Sequence, residues 1–487
     1  MGRNRDVRLT ILGIDGMDRE VAREMLGELP HIRYLLRERT PAEFVSVFPP
    51  DTDTAWASFY TGLSPAEHGL FKFRDQAAPA VAEPAAQDDV LFRGRTLWDH
   101  ASAHGLRVAA SLPHGIYPGW QVNGVMVTRA QRQHSLDAPI RAGAEAFPVE
   151  RSELHALNGL QRTYTDRELQ TARTHLLKRF AAEARVAWDL YRREPWDLFF
   201  AYFSSLDGIQ HYFWHCHDPA HPLHTPGRFV DVVREFYRSA DELIGRYLQA
   251  AKSDEHVLVI SDHGHGRRPT RLVHLNEFLR QRGHVVAGLP TVNPRRLLRV
   301  GAKRAVAAYV SRFGLPRFAR GLVRALPSVG RNLSSVEGIN YEASSAYVSE
   351  MPSMKGYSYG GIRVRGGGHT VQQVIDELEE LRDPQTAEPL IVWMQPREAV
   401  DRGEHLARLP EILLELGEDY GIAAGVHCPL LQPGFMHRVQ SGSHRRRTPV
   451  FLTTLSPVEV DRARDDLQRN ALTLMDLHAI VRSLLGC

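Results

Sequence analysis

Cysteine is almost missing from this chain. Of 487 residues only Cys216, Cys428 and Cys487 are cysteines, far apart and never in CxxC spacing. That excludes a disulfide framework and a structural zinc knuckle, and it fits a reducing compartment. Long apolar runs are missing too. The opening "MGRNRDVRLTILGIDG" has a basic start, but its apolar stretch before Asp15 is too short for a signal segment or a membrane span. A cytoplasmic protein is therefore expected. Nor does one sign of charge dominate. With 60 basic and 57 acidic residues, formal charge +3, the chain as a whole is not expected to bind nucleic acid.

One local absence stands out. No acidic residue occurs between Phe278 and Val336, while ten basic residues fall between Arg295 and Arg331. Apolar residues at helical spacing in "RRLLRVGAKRAVAAYVSRF" make this an amphipathic basic segment. Framed by "GLPTVNP" and "ALPSVGRNLSS", it reads as a helical cap inserted over residues 286–339. It would be a solvated or substrate-facing surface first, and a weak contact for an anionic membrane through residues 295–331 second. A further polar, helical insertion is read at about 128–195. The catalytic core then comprises residues 1–285 and 340–487. No internal repeats occur, the C-terminal "DDLQRNALTLMDLHAIVRSLLGC" predicts a helix packed on the sheet, and nothing speaks to oligomeric state.

What is present is a large buried core, at 43% hydrophobic, and three strand-like apolar runs that end in aspartate. "LTILGIDG" ends at Asp15, "DLFFAYFSSLDG" at Asp207 and "HVLVISDHG" at Asp262. Continuous apolar runs suit strands covered on both faces, and such sheets carry their ligand sites at the carboxyl ends of the strands. His211 follows Asp207 by four residues, on the same face of a helical turn, and His263 follows Asp262 directly. His444, in the Gly/Ser-rich "SGSHRRR", precedes another apolar run. Three carboxylates and three imidazoles suffice for two divalent ions of the zinc or manganese kind.

The stretch "FPPDTDTAWASFYTGLSPAEHG" (48–69) predicts a helix from about Thr54 to Thr61. Ser64 and Glu67 form a capping box with Pro65 at the first helical position. Asp51 and Asp53 read as turn and cap residues, Thr54 and Ser58 as packing or back-bonding, and His68 as a helix-end packing residue. The histidine-rich "HYFWHCHDPAHPLH" fits no zinc spacing beyond His211, and its remainder reads as a loop near the site's mouth. His265 in "DHGHG" reads as an exposed loop histidine.

Taken together, "GIDGMD", "FPPDTDTAWASFYTGLSPAEHG", "DGIQH", "SDHG" and "GSH" resemble, in order and spacing, the alkaline phosphatase superfamily. Within it they resemble the type I phosphodiesterase/nucleotide pyrophosphatase family. The resemblance implies an α/β fold, a three-layer α/β/α sandwich with a mostly parallel central sheet. It also implies two metal ions, usually zinc. Asp207, His211 and His444 would hold one; Asp15, Asp262, His263 and the oxygen of Thr52 would hold the other. Thr52 falls at the nucleophile position, which implies a phospho-threonine intermediate. The implied activity is hydrolysis of a small phosphorylated substrate, a phosphodiester or nucleotide-type pyrophosphate. Two alternatives stay open: a phosphomonoesterase on a small phosphorylated metabolite, or an inactive membrane-associated scaffold. Positive groups around a third oxygen, such as Lys72, Lys355 or a cap arginine, would favour the monoester. A sulfatase is disfavoured because no Cys/Ser-x-Pro-x-Arg motif stands at the nucleophile.

Overall fold

A computed structural model describes residues 7–39, 43–77, 89–128, 164–288, 338–351, 356–434, 436–463 and 471–487. The first strands are β1 (Arg8–Ile14), β2 (Val108–Ser111), β3 (Gly124–Val127), β4 (Leu198–Phe203), β5 (Glu255–Ile260), β6 (Gly264–Arg267) and β7 (Arg271–His274). They are followed by β8 (Ala346–Ser349), β9 (Tyr359–Val364), β10 (Ile391–Pro396), β11 (Ile412–Leu416), β12 (Tyr420–Ala423), β13 (Leu431–Pro433), β14 (Gly442–Arg445) and β15 (Phe451–Thr453).

The central sheet has the order β15-β5-β1-β4-β2-β3, parallel throughout except for β15. Parallel sheets need both faces covered, because their crossover helices lie on both sides. The sequence satisfies this with strands that are apolar in both phases of the two-residue period. Along β4, Leu198, Phe200 and Tyr202 enter one apolar cluster, while Phe199, Ala201 and Phe203 enter the other. β1 divides in the same way, Leu9 and Ile11 against Leu12 and Ile14.

Helices Arg19–Glu24, Pro30–Arg39, Asp166–Tyr191, Ser205–His217 and Val232–Ala250 cover one face. Helices Thr52–Thr61, Leu97–Ala103 and Leu474–Leu485 cover the other, completing a three-layer α/β/α sandwich. The C-terminal helix lies against Thr52–Thr61, where His478 Nδ1 donates to Phe59 O at 2.9 Å. An antiparallel sheet β10-β11-β9-β8 and a smaller one, β12-β7-β13, share their own apolar cluster. The two-stranded ladder of β6 and β14 follows β5 and precedes β15, so it sits at the carboxyl end of the central sheet.

The whole basic segment 295–331, all but the ends of its cap, and Lys355 lie outside the described residues. At its borders Ala287 bridges Ile339 and Gly288 N donates to Gly338 O at 2.9 Å, so the chain re-enters where it left. Residues 129–163 of the second expected insertion also lie outside the description. Its helical end is Asp166–Tyr191, which starts from a capping box of Thr165 and Glu168. This helix buries Leu169, Ala172, Leu176 and Phe180 in the same cluster as the central sheet, and so forms part of the core layer. Among the described residues no helix is long and apolar enough to cross a membrane.

Candidate metal centre and nucleophile

Strands β5, β1 and β4 are neighbours, so the residues just beyond their carboxyl ends must meet. Asp15 follows β1 directly, Asp262 lies two residues past β5, and Asp207 sits in the first turn of the helix after β4. His211 is one turn further along that helix. His444 lies on β14, opposite His265 on β6, rather than in a loop. The result is two donor sets, Asp207–His211–His444 and Asp15–Asp262–His263, with a third, Asp207–His263–His265, overlapping both. Within each set the donor atoms lie within 4.8 Å of one another. Thr52 opens its helix beside them, with Oγ1 3.2 Å from His263 Nε2. All seven residues singled out in the sequence therefore come together.

Hydrogen bonding sets the imidazole tautomers. His211 Nδ1 lies 3.0 Å from Gly442 O, His444 Nδ1 2.9 Å from Pro50 O, and His263 Nδ1 2.9 Å from Gly264 O. A carbonyl can only accept, so each Nδ1 carries the hydrogen, and in the neutral ring the lone pair lies on Nε2. Burial pushes His211 below its ordinary range, against the pull of Asp207, and pushes His444 well below it. The two Nε2 atoms nevertheless face each other at 3.1 Å. Two lone pairs at that distance repel unless a cation lies against both.

The carboxylates show the same arrangement. Asp262 Oδ1 accepts from Gly16 N at 3.1 Å and Asp15 Oδ2 accepts from the Tyr202 hydroxyl, so one oxygen of each is tied. The others, Asp262 Oδ2 and Asp15 Oδ1, lie 3.3 and 3.6 Å from His263 Nε2 and have no hydrogen-bond partner; nor has Asp207 Oδ1. Buried orphaned oxygens gathered around an imidazole nitrogen are a donor set that fits divalent ions. Burial, followed by the neighbouring carboxylates, holds Asp15 well above the usual range. Asp262 is pushed up to about 8, chiefly by burial.

Gly16 is required where it stands. Its φ is +67°, and a Cβ there would come 3.1 Å from Asp207 Cβ.

Several neighbours depart from the sequence reading. Asp51 occupies the N-cap position but makes no side-chain cap; instead it lies 3.0 Å from Lys72 Nζ. Asp53 lies 2.8 Å from the same ammonium and 2.7 Å from His114 Nε2. Burial works against the Lys72 charge, but Asp51 and Asp53 outweigh it and hold the ammonium above its ordinary range. His114 Nδ1 in turn lies 3.2 Å from the Tyr202 hydroxyl. A polar chain thus runs from Lys72 through Asp53, His114 and Tyr202 to Asp15. His114 and Tyr202 went unnoticed in the sequence, one in a proline-rich loop and the other inside an apolar strand.

His265 is not an exposed loop residue. It is 0% exposed, because β6 is covered by β14 and by the His211 helix. Burial lowers its pKa to about 3. The residues after His211 are not a loop at first either, since the helix continues to His217. None of His215, His217, His221 and His224 joins a metal-capable set among the described residues. Ser64 and Glu67 do form a capping box, and buried His68 packs with Nε2 3.0 Å from Ser58 Oγ.

A parallel-sheet sandwich of this kind is the alkaline phosphatase-like fold. More narrowly, residues 9–444 match the family type I phosphodiesterase/nucleotide pyrophosphatase, and the chain belongs to that family. Phosphonoacetate hydrolase from Sinorhizobium meliloti 1021, in complex with phosphonoformate, shares the fold with a TM-score of 0.51. It is 13% identical, and the match covers 99% of this chain and 98% of that one. Murine ectonucleotide pyrophosphatase/phosphodiesterase 5, in an inactive form with AMP, is 14% identical with a TM-score of 0.47, covering 99% and 95%. No curated protein sequence matches the chain.

Proposed function

We propose that this chain cleaves phosphodiesters or nucleotide-type pyrophosphates at a two-metal site, with Thr52 as nucleophile. Asp207, His211 and His444 would hold one divalent ion; Asp15, Asp262, His263 and the Thr52 hydroxyl would hold the other. The observation that carries this reading is the facing pair of unprotonated Nε2 atoms of His211 and His444, 3.1 Å apart beside the orphaned Asp207 Oδ1. Imidazole and carboxylate donors suit zinc, with manganese as the second choice. When bound, such ions supply the positive charge that makes a hydroxyl nucleophilic at neutral pH and stabilises the leaving oxygen.

The chain's own residues do the rest. Thr52 stands at the start of a ten-residue helix, whose free N–H groups and dipole favour a phosphoryl group. Its Oγ1 forms a bond to phosphorus as the bond to the leaving oxygen breaks, and the hydroxyl proton ends on the leaving group. Water then cleaves the Thr52 ester, releasing the phosphorylated product and restoring the hydroxyl.

Lys72 supports a diester over a monoester. Its ammonium lies between Asp51 and Asp53, so this cation is neutralised by the acids that flank Thr52. A monoester dianion would meet that excess of negative charge, whereas a diester monoanion meets less of it. Hydrolysis of a small phosphomonoester is the second reading, since it uses the same ions and nucleophile.

The test is to assay wild type and Thr52→Ala on bis(p-nitrophenyl) phosphate and p-nitrophenyl phosphate with zinc or manganese supplied. The expected result is diester cleavage lost in the variant. Equal rates in both proteins would refute Thr52, and a wild-type preference for the monoester would establish the second reading.

A further inference from the structure

We propose that His265 is a positioning residue for the metal centre, donating its Nδ1 hydrogen to Asp207 so that this carboxylate is held for the ion. This rests on the two-metal reading above. The structural evidence is the surroundings of Asp207 Oδ1. It lies 3.3 Å from His211 Nε2, 3.6 Å from His444 Nε2 and 3.4 Å from His265 Nδ1. The first two nitrogens carry lone pairs, because their Nδ1 hydrogens are already given to carbonyls. His265 is not committed in that way, and a carboxylate oxygen facing it is best met by an N–H.

The other edge of the ring is closed off. A Cβ on Gly442 would come 2.4 Å from both His265 Nε2 and Gln210 O, so that nitrogen is packed against the Gly442 backbone. The ring is also pinned. It meets His211 edge-on with centroids 4.7 Å apart, and its backbone N–H donates to Asp18 Oδ2 at 3.0 Å. A histidine that served only as packing would be a poor choice here, since both ring nitrogens are buried and the acceptor nearest Nδ1 is Asp207 Oδ1 at 3.4 Å. A carboxylate oxygen has two lone-pair directions, one for an ion between His211 and His444 and one for His265. Outer partners of this kind fix ligand orientation and typically change metal affinity 10–100-fold.

The experiment compares full-length wild type, His265→Phe and His265→Asn. Zinc dissociation constants are read by competition with a chromophoric chelator, and melting temperatures are read without metal. His265→Phe is expected to weaken zinc binding by about 10–100-fold and to lower the metal-free melting temperature somewhat, because the larger ring crowds the Gly442 backbone; the smaller Asn variant separates that packing effect from the N–H. His265→Asn keeps an N–H close to the Nδ1 position and is expected to restore most of the affinity. Wild-type affinity in His265→Phe would overturn the proposal, and so would an Asn variant as weak as the Phe variant. If wild type itself binds no zinc, the two-metal reading fails; if it binds zinc and His265→Phe binds it equally well, only the role of His265 fails.

Discussion

The imidazoles of His263 and His444 stack with centroids 3.7 Å apart and planes within 17°. One belongs to each donor set, so the two proposed metal positions share a wall. His444 also donates to Pro50 O, two residues before Thr52, and thereby joins that wall to the segment that carries Thr52. The site should consequently load as a unit.

His444→Ala should therefore affect both ions. Calorimetric zinc titration should give two ions for wild type and at most one for the variant, with the remaining ion bound roughly tenfold or more weakly. Loss of one ion with unchanged affinity for the other would show that the stack transmits nothing.

Thr52→Ser keeps a hydroxyl and should retain measurable turnover. Thr52→Ala should lower kcat on the order of 10³-fold or more. Rapid acid quench of the reaction with a diester labelled in its retained half should recover the Ser variant carrying the labelled phosphoryl ester on serine, and no labelled protein from the Ala variant.

Much of this centre was legible in the sequence because its physics is local. β1, β4 and β5 announce themselves as apolar in both phases of the strand period, and each is followed within four residues by its aspartate. Asp207 and His211 share a helical turn. His265 was misread because its burial depends on β14, far along the chain, and no local pattern encodes a cross-strand partner. Lys72 and Asp53 meet only after the chain turns through the Pro65–His68 helix, so Asp51 and Asp53 read as caps. Tyr202 looked like one more residue of an apolar run, and its contact with Asp15 depends on the parallel register of β1 and β4.

Asp53→Asn should shift selectivity. It removes one of the two carboxylates holding Lys72 and leaves that ammonium with more charge to offer. The ratio of kcat/KM for p-nitrophenyl phosphate to that for the bis ester should rise, by about tenfold if ~1.4 kcal/mol is redistributed. An unchanged ratio would remove Lys72 from the account of substrate choice.

The metal-free protein should become less stable as pH rises. Asp262 has its folded pKa raised to about 8, against about 3.9 in an unfolded chain. A raised carboxyl means that the folded state binds more protons between those values, so stability is greatest below the lower value and declines toward the upper one. Chemical denaturation in chelator should give a lower midpoint at pH 8 than at pH 5. Zinc, which needs the ionised carboxylates, should bind more tightly at pH 8 and release protons at pH 7.

Gly16→Ala tests the backbone of the centre. The φ of +67° costs a non-glycine residue roughly 1–3 kcal/mol, and the new methyl group would press on Asp207. Far-UV circular dichroism should show a retained fold, while the zinc titration should show weakened binding.

The most direct measurement is anomalous X-ray diffraction at the zinc edge from crystals grown with zinc. The account predicts two peaks, one about 2.0–2.2 Å from His211 Nε2, His444 Nε2 and an Asp207 oxygen, and one at the same range from His263 Nε2, Asp15 and Asp262. A fully ordered site with no peak against His211 and His444 would contradict it.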